Sequence, residues 1–111
     1  MISPASPELV AALRSAGCVW AEDEASVIAE SATDDATRWE LARRRMAGEP
    51  LEQVVGWARF CGRRIAVSPG VFVPRRRSEV LAGVAVDEVD TREPAVVVDL
   101  CCGAGALAVA I

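Results

Sequence analysis

The chain has 111 residues, 52% hydrophobic and 25% charged, a balance that belongs to a folded protein of one small domain's size and excludes disorder. Its formal net charge is −4, which argues against a general nucleic-acid binder. All 12 basic residues are Arg, and with no His in the chain, histidine catalysis and histidine metal ligation are excluded.

The opening Met1-Ile2-Ser3-Pro4-Ala5-Ser6-Pro7 has neither a basic start nor an apolar stretch, so no signal peptide is expected. Ser6-Pro7-Glu8 reads as a helix start: a capping hydroxyl, Pro at the first helical position and an acid in the first turn. Leu9, Val10 and Leu13 form its apolar stripe, and Gly17 ends it. A second helix is predicted from about Glu22 to Ala32, facing inward with Ala25, Ile28, Ala29 and Ala32. Thr33-Asp34-Asp35 breaks it and caps a third helix, which carries Ala36, Trp39, Ala42, Arg43 and Met46 and closes at Gly48. Pro50 to Val55 is a short fourth helix stopped by Gly56. Short loops between short amphipathic helices predict a compact bundle.

The pattern then changes. Trp57-Ala58-Arg59-Phe60 and Arg64-Ile65-Ala66-Val67 predict two strands around a Cys61-Gly62-Arg63 turn. Val71-Phe72-Val73-Pro74 is extended, because proline disfavours helix at the residue before it. Ser78 is expected to cap a helix with Val80, Leu81, Val84 and Ala85 on one face, and Asp90-Thr91-Arg92-Glu93-Pro94 is a polar linker. Val96 to Leu100 reads as a buried strand, Cys101 to Gly105 as a tight glycine turn and the Ala/Leu/Val run as the start of a helix. Ala95 to Ile111 is too short, and too interrupted by Asp99 and two glycines, for a membrane span. A single parallel-type strand needs neighbours on both edges, so the chain is expected to be the N-terminal part of a longer enzyme or a shortened gene product.

Strand, glycine turn and helix together open a nucleotide-type cofactor site in α/β sheets, because glycine lets backbone amides approach a ligand with no Cβ in the way. Gly103-x-Gly105-x-x-Ala108 formally satisfies a dinucleotide pattern. Asp99, four residues before Gly103, would repel a pyrophosphate and suits a cationic ligand, which favours S-adenosylmethionine. The alternative is that Asp99 only caps the turn and the glycines only permit helix–sheet packing.

Four cysteines, Cys18, Cys61, Cys101 and Cys102, form no Cys-x-x-Cys pair, so no metal site is expected and reduced, partly buried thiols are the plain reading. Cys101 and Cys102 read as small apolar fillers. The Arg43-Arg44-Arg45, Arg63-Arg64 and Arg75-Arg76-Arg77 runs read as solvated faces, Arg75 alone excepted, and Trp20, Trp39 and Trp57 as core packing ahead of a docking surface.

Taken in order, Gly48-Glu49-Pro50-Leu51, Gly56, Phe60, Val71-Phe72-Val73-Pro74-Arg75 with Glu79, and Asp99-Leu100-Cys101-Cys102-Gly103-Ala104-Gly105 resemble the PrmC/HemK family. These are S-adenosylmethionine-dependent protein-(glutamine-N(5)) methyltransferases of peptide-chain release factors. The resemblance implies an α+β chain: a helical substrate-docking domain over 1–56, a β-hairpin connector over 57–73, and over 74–111 the first strand and helix start of an incomplete Rossmann-like methyltransferase domain. It implies S-adenosylmethionine as cofactor, held by Phe72, Asp99, Cys101, Gly103, Ala104 and Gly105. It implies a release factor as partner; the sequence itself leads to the expectation of a cytoplasmic location and no membrane partner, and its net charge argues against nucleic acid.

Two departures mark a divergent branch. Arg76-Arg77-Ser78 stands where the family has Pro, an acid and Thr, and Cys101 stands where it has the first loop glycine. The family's Asn-Pro-Pro-Tyr does not occur in the chain, so no catalytic residue is assigned and the chain alone is expected to be inactive. An adenine-N(6) nucleic-acid methyltransferase shares the same amine-orienting chemistry. For the chain in isolation, the other reading is a non-catalytic module in which Met1 to about Gly56 docks a release factor and S-adenosylmethionine is not bound.

Overall fold

The computed structural model describes residues 5–89 and 93–111, and they divide into two compact units, Met1–Val55 and Gly56–Ile111. Met1 to Pro4, and the Asp90 to Arg92 part of the expected polar linker, lie outside the described residues.

The first unit is helical: α1 (Pro7–Ser15), α2 (Ala21–Ser31), α3 (Asp35–Met46) and α4 (Leu51–Val55). Two of these helices begin where local chemistry demands it. The Leu9 N–H donates to Ser6 Oγ at 3.2 Å and the Thr37 N–H to Asp34 Oδ1 at 2.7 Å, each satisfying an amide that has no partner within its own helix. α2 has no such cap: Trp20 precedes it without a side-chain bond, and three acids in its first turn face the positive end of the helix dipole.

The core of this unit is Leu9, Leu13, Cys18, Ala21, Ala25, Ile28 and Ala42. The expected inward face of α2 is present at Ala25, Ile28 and Ala29, joined by Ala21, while Ala32 is only half-buried. On α3 the buried side is Ala42, with Trp39, Leu41 and Met46 packed beside it; Ala36 and Arg43 face solvent. Small alanines at the α2 contacts let these short helices approach closely, so a few large side chains suffice to fill the centre.

The second unit opens with β1 (Trp57–Phe60) and β2 (Arg63–Ala66), antiparallel, with Trp57 opposite Ala66 and Phe60 opposite Arg63. The loop is two residues, not three: Arg63 belongs to β2. Cys61 at φ 49° and Gly62 at φ 73° make it a type I′ turn, whose left-handed conformation at both positions matches the twist of the strands. Ala58, Phe60 and Ile65 point to one face and are buried; Trp57, Arg59 and Arg64 share the other.

A single 3₁₀ turn (Arg76–Ser78) leads into α5 (Glu79–Glu88). Ser78 does not cap α5: its own backbone is already helical, and its side chain makes no capping bond. The buried residue of α5 is Ala82, packed in a cluster with Phe60, Ile65 and Ala106. The expected inward face is turned out, with Val80 73% exposed and Leu81 and Val84 also exposed. α5 is apolar on nearly every side, so helical periodicity does not single out one face.

Val96 to Leu100, expected as a buried strand, has no regular secondary structure and joins no ladder among the described residues, and Val96 is 92% exposed. A strand is defined by its partner, and the hairpin is the only sheet among the described residues. After the glycine turn, α6 (Ala106–Ala110) starts as expected. No described helix is long and apolar enough to cross a membrane.

Candidate cofactor site

Within the second unit the chain folds back so that the Phe72–Ser78 segment and the Asp99–Leu107 segment wall one hollow of about 260 Å³, with Phe60 also lining it. Phe72, two residues before Pro74, is 66% exposed, and the Arg75 guanidinium lies 5.3 Å from its ring centroid, within cation–π range. Arg75 enters no ion pair among the described residues.

On the Asp99–Leu107 wall of the hollow, Asp99 follows the valine run. Its Oδ2 is shut off from solvent and accepts no hydrogen bond among the described residues. A carboxylate oxygen in that state lacks the donor that would offset its lost hydration.

The turn that follows is left-handed at three of five positions: Cys101 at φ 55°, Gly103 at φ 57° and Gly105 at φ 79°. The Gly105 N–H donates to the Cys102 carbonyl at 2.9 Å and closes the loop. A Cβ placed on Gly103 or Gly105 would meet nothing within 4 Å. Among the described residues nothing crowds these two positions, and their left-handed backbone angles are what favour glycine there. Cys101 adopts the same left-handed conformation in spite of its side chain, which the family-like glycine would have adopted without cost.

Five of the six expected cofactor residues, Phe72, Asp99, Cys101, Gly103 and Ala104, line this hollow; Gly105 is not among its lining residues, and its N–H closes the turn. Sequence reasoning did not place Arg75, Ser78 and Cys102 there. Nothing in the sequence marks Ser78, which reads as a helix cap; only the structure shows that its side chain makes no capping bond. A support from outside the hollow was also missed: the Cys61 N–H donates to Glu79 Oε1 at 2.8 Å, tying the hairpin turn to the first residue of α5.

All four cysteines are free, but only Cys18 is buried, and burial pushes its thiol above the ordinary range. Cys61, Cys101 and Cys102 are exposed, because they sit in turns, which run over the surface. The reading of Cys101 and Cys102 as apolar fillers is corrected accordingly. Among the described residues no group of three or more His, Cys, Asp or Glu is placed to hold a metal.

The arginine run of α3 is occupied within its own unit. Arg43 bonds Glu40 at 2.6 Å, Arg44 grips both oxygens of Glu49 at 3.1 and 2.7 Å, and Arg45 grips both of Glu24 at 2.8 and 3.2 Å. These bonds raise the Arg44 and Arg45 guanidinium pKa further and lower that of Glu49. Of the tryptophans, Trp39 packs on the core as expected, Trp20 is exposed, and Trp57 is covered by the Arg64 guanidinium at 4.0 Å.

Comparison with known proteins points to methyltransferases. A release factor glutamine methyltransferase of Streptomyces coelicolor is 48% identical over 80 residues, 69% of this chain and 28% of that protein. One of Burkholderia pseudomallei is 36% identical over 95 residues, 83% of this chain and 33% of that protein. A 4-amino-L-phenylalanine/4-methylamino-L-phenylalanine methyltransferase of Streptomyces pristinaespiralis is 40% identical over 79 residues, 66% of this chain and 27% of that protein. No family model and no solved structure matches. The chain spans a third or less of the length of these relatives. By these matches it resembles, over that part of their length, the release factor glutamine methyltransferases of the PrmC/HemK family.

Proposed function

We propose that the second unit forms one wall of an S-adenosylmethionine site, the start of a Rossmann-like methyltransferase domain, in a protein that methylates a glutamine side-chain amide of a peptide-chain release factor. The observation that carries the cofactor reading is the orphaned Asp99 Oδ2 in a hollow lined by a glycine turn and an exposed aromatic ring. An ammonium donor would satisfy that oxygen; a pyrophosphate would be repelled by it. Residues 1–56 serve as the docking domain for the release factor and residues 57–73 as the connector. A cytoplasmic location goes with this reading.

Bound there, S-adenosylmethionine supplies a methyl group activated on a sulfonium. The chain's own residues position it: Asp99 accepts from the ammonium, the Phe72 ring packs against the ligand, and the amides around Gly103 approach it closely. A substrate amide nitrogen is a poor nucleophile because its lone pair is delocalised, so rate must come from holding it in line with the methyl–sulfur bond. None of the 111 residues is assigned that task, and we propose that the chain by itself binds the donor without transferring the methyl group.

A second substrate reading, an aromatic amino acid with a ring amine, is favoured by the Streptomyces pristinaespiralis relative, whose name records that substrate at 40% identity. Calorimetry tests the shared part: the chain is titrated with S-adenosylmethionine and with NAD, before and after Asp99→Asn. Binding of the methyl donor that weakens on substitution supports the reading; preference for NAD refutes it. Titration with a release factor and with 4-amino-L-phenylalanine then separates the two substrates.

A further inference from the structure

We propose that Cys101 and Cys102 form a thiol-modification site: a low-molecular-weight disulfide is captured on one of them as a mixed disulfide, and the adduct shuts the hollow to its ligand. The inference rests on the cofactor reading above for what is shut out; the chemistry of the thiols stands apart from it.

Three observations support it. Cys101 and Cys102 both line the hollow, and both are exposed, free thiols. Exposure is what lets a small disulfide reach a sulfur. Neither sulfur is engaged: Cys102 Sγ makes only a long 3.8 Å contact to the Gly103 carbonyl, and Cys101 Sγ has no hydrogen-bond partner among the described residues. Finally, at about 260 Å³ the hollow falls below the usual ~300–1,000 Å³ of small-molecule pockets, so a peptidyl adduct tethered to its wall leaves no room for a second ligand. The other two cysteines lack this combination. Cys18 is buried, and Cys61, though exposed, is not among the lining residues.

The step is thiol–disulfide exchange. The cysteine thiolate attacks one sulfur of the small disulfide, and the new S–S bond forms as the old one breaks. The other half departs as a thiolate and takes up the proton that the cysteine gave away. The cysteine sulfur is oxidised, the departing sulfur is reduced, and excess small thiol runs the exchange backwards. It halts at the mixed disulfide because the Cα atoms of adjacent residues lie ~3.8 Å apart across a trans peptide, short of the ~4.4–6.8 Å that a disulfide spans.

The test uses oxidised glutathione as the probe, with adducts located by peptide mass spectrometry and S-adenosylmethionine binding followed by calorimetry. Adducts should form on the Cys101–Cys102 pair and on Cys61, and spare Cys18. The Cys61→Ser chain, once modified, should bind S-adenosylmethionine at least about tenfold more weakly than before, and dithiothreitol should restore the binding. A double variant, Cys101→Ser with Cys102→Ser, keeps only Cys61 exposed and should bind equally before and after treatment. In the unsubstituted chain, saturating S-adenosylmethionine should slow adduct formation on the pair and leave Cys61 unaffected, a readout that needs no variant. Circular dichroism of each species verifies that the fold is kept. A pair that stays unmodified, an internal Cys101–Cys102 bridge, loss of ellipticity on modification, or binding that survives the adduct overturns the proposal and leaves the cofactor reading standing. Absence of binding to the untreated chain overturns both.

Discussion

Cys101 offers the sharpest test of the glycine loop. Its backbone sits at φ 55°, where an L side chain costs about 1–2 kcal/mol. Cys101→Gly removes that cost but enlarges the freedom of the unfolded chain, which opposes folding by roughly 0.5–1 kcal/mol. The first effect is the larger, so the variant should gain about 0.5–1 kcal/mol. Native-state amide exchange in the β1–β2 ladder reads this in the second unit alone; protection should rise about two- to fivefold. Two controls separate backbone from thiol. Cys101→Ala keeps the Cβ and should leave protection unchanged, while Gly103→Ala places a Cβ at φ 57° and should lower it. If Cys101→Gly lowers protection, or Gly103→Ala is silent, the left-handed loop is not the conformation the chain adopts.

Three further predictions concern the supports of the two units. Glu24 is 12% exposed and grips Arg45, itself 25% exposed, through two bonds, so Glu24→Ala should cost the first unit about 1.5–3 kcal/mol in urea unfolding followed by helix ellipticity. A loss under a few tenths would show that the pair is solvated. Glu79→Ala removes the acceptor of the Cys61 N–H and should cost the hairpin about 1 kcal/mol, seen as faster exchange of the Cys61 amide; an unchanged rate would remove Glu79 as the tie. Glu22, Asp34 and Glu49 have carboxyl groups lowered by the Arg14 hydrogen bond, the Thr37 N–H and the Arg44 hydrogen bond respectively. With folded values below unfolded ones, their stabilisation is complete above the ordinary carboxylate range, ~4, and disappears as pH falls through the folded values. Urea midpoints of the first unit should therefore hold near neutrality and drop below about pH 4; a midpoint constant down to pH 2 would contradict the sign.

Caps were legible in the sequence because a cap is a local event: Ser6 and Asp34 each reach an amide three residues on, and neither needs the rest of the chain. The hairpin was legible through Gly62, but its register was not, since Cys61 is an unusual residue for the left-handed first position of the turn and its thiol gives no turn signal. The face of α5 and the pairing of Val96–Leu100 could not be read, because both depend on what lies alongside rather than on the segment itself. The loop from Asp99 to Gly105 announced itself by residue type and order. Phe72 entered only through the family resemblance, and Arg75's place beside Asp99 depends on two segments more than twenty residues apart meeting at one hollow, which no local pattern encodes.

The run of valines before Asp99 has a consequence for handling the molecule. Val96, Val97 and Val98 are β-branched and exposed, carry no charge, and share no backbone hydrogen bond with the described residues. Bare peptide groups flanked by sticky side chains are a template on which another copy can add a strand. The uncovered valines of α5 add apolar area to the same unit, so clumping will rise with concentration, and the net charge of −4 will restrain it only weakly once salt screens that charge.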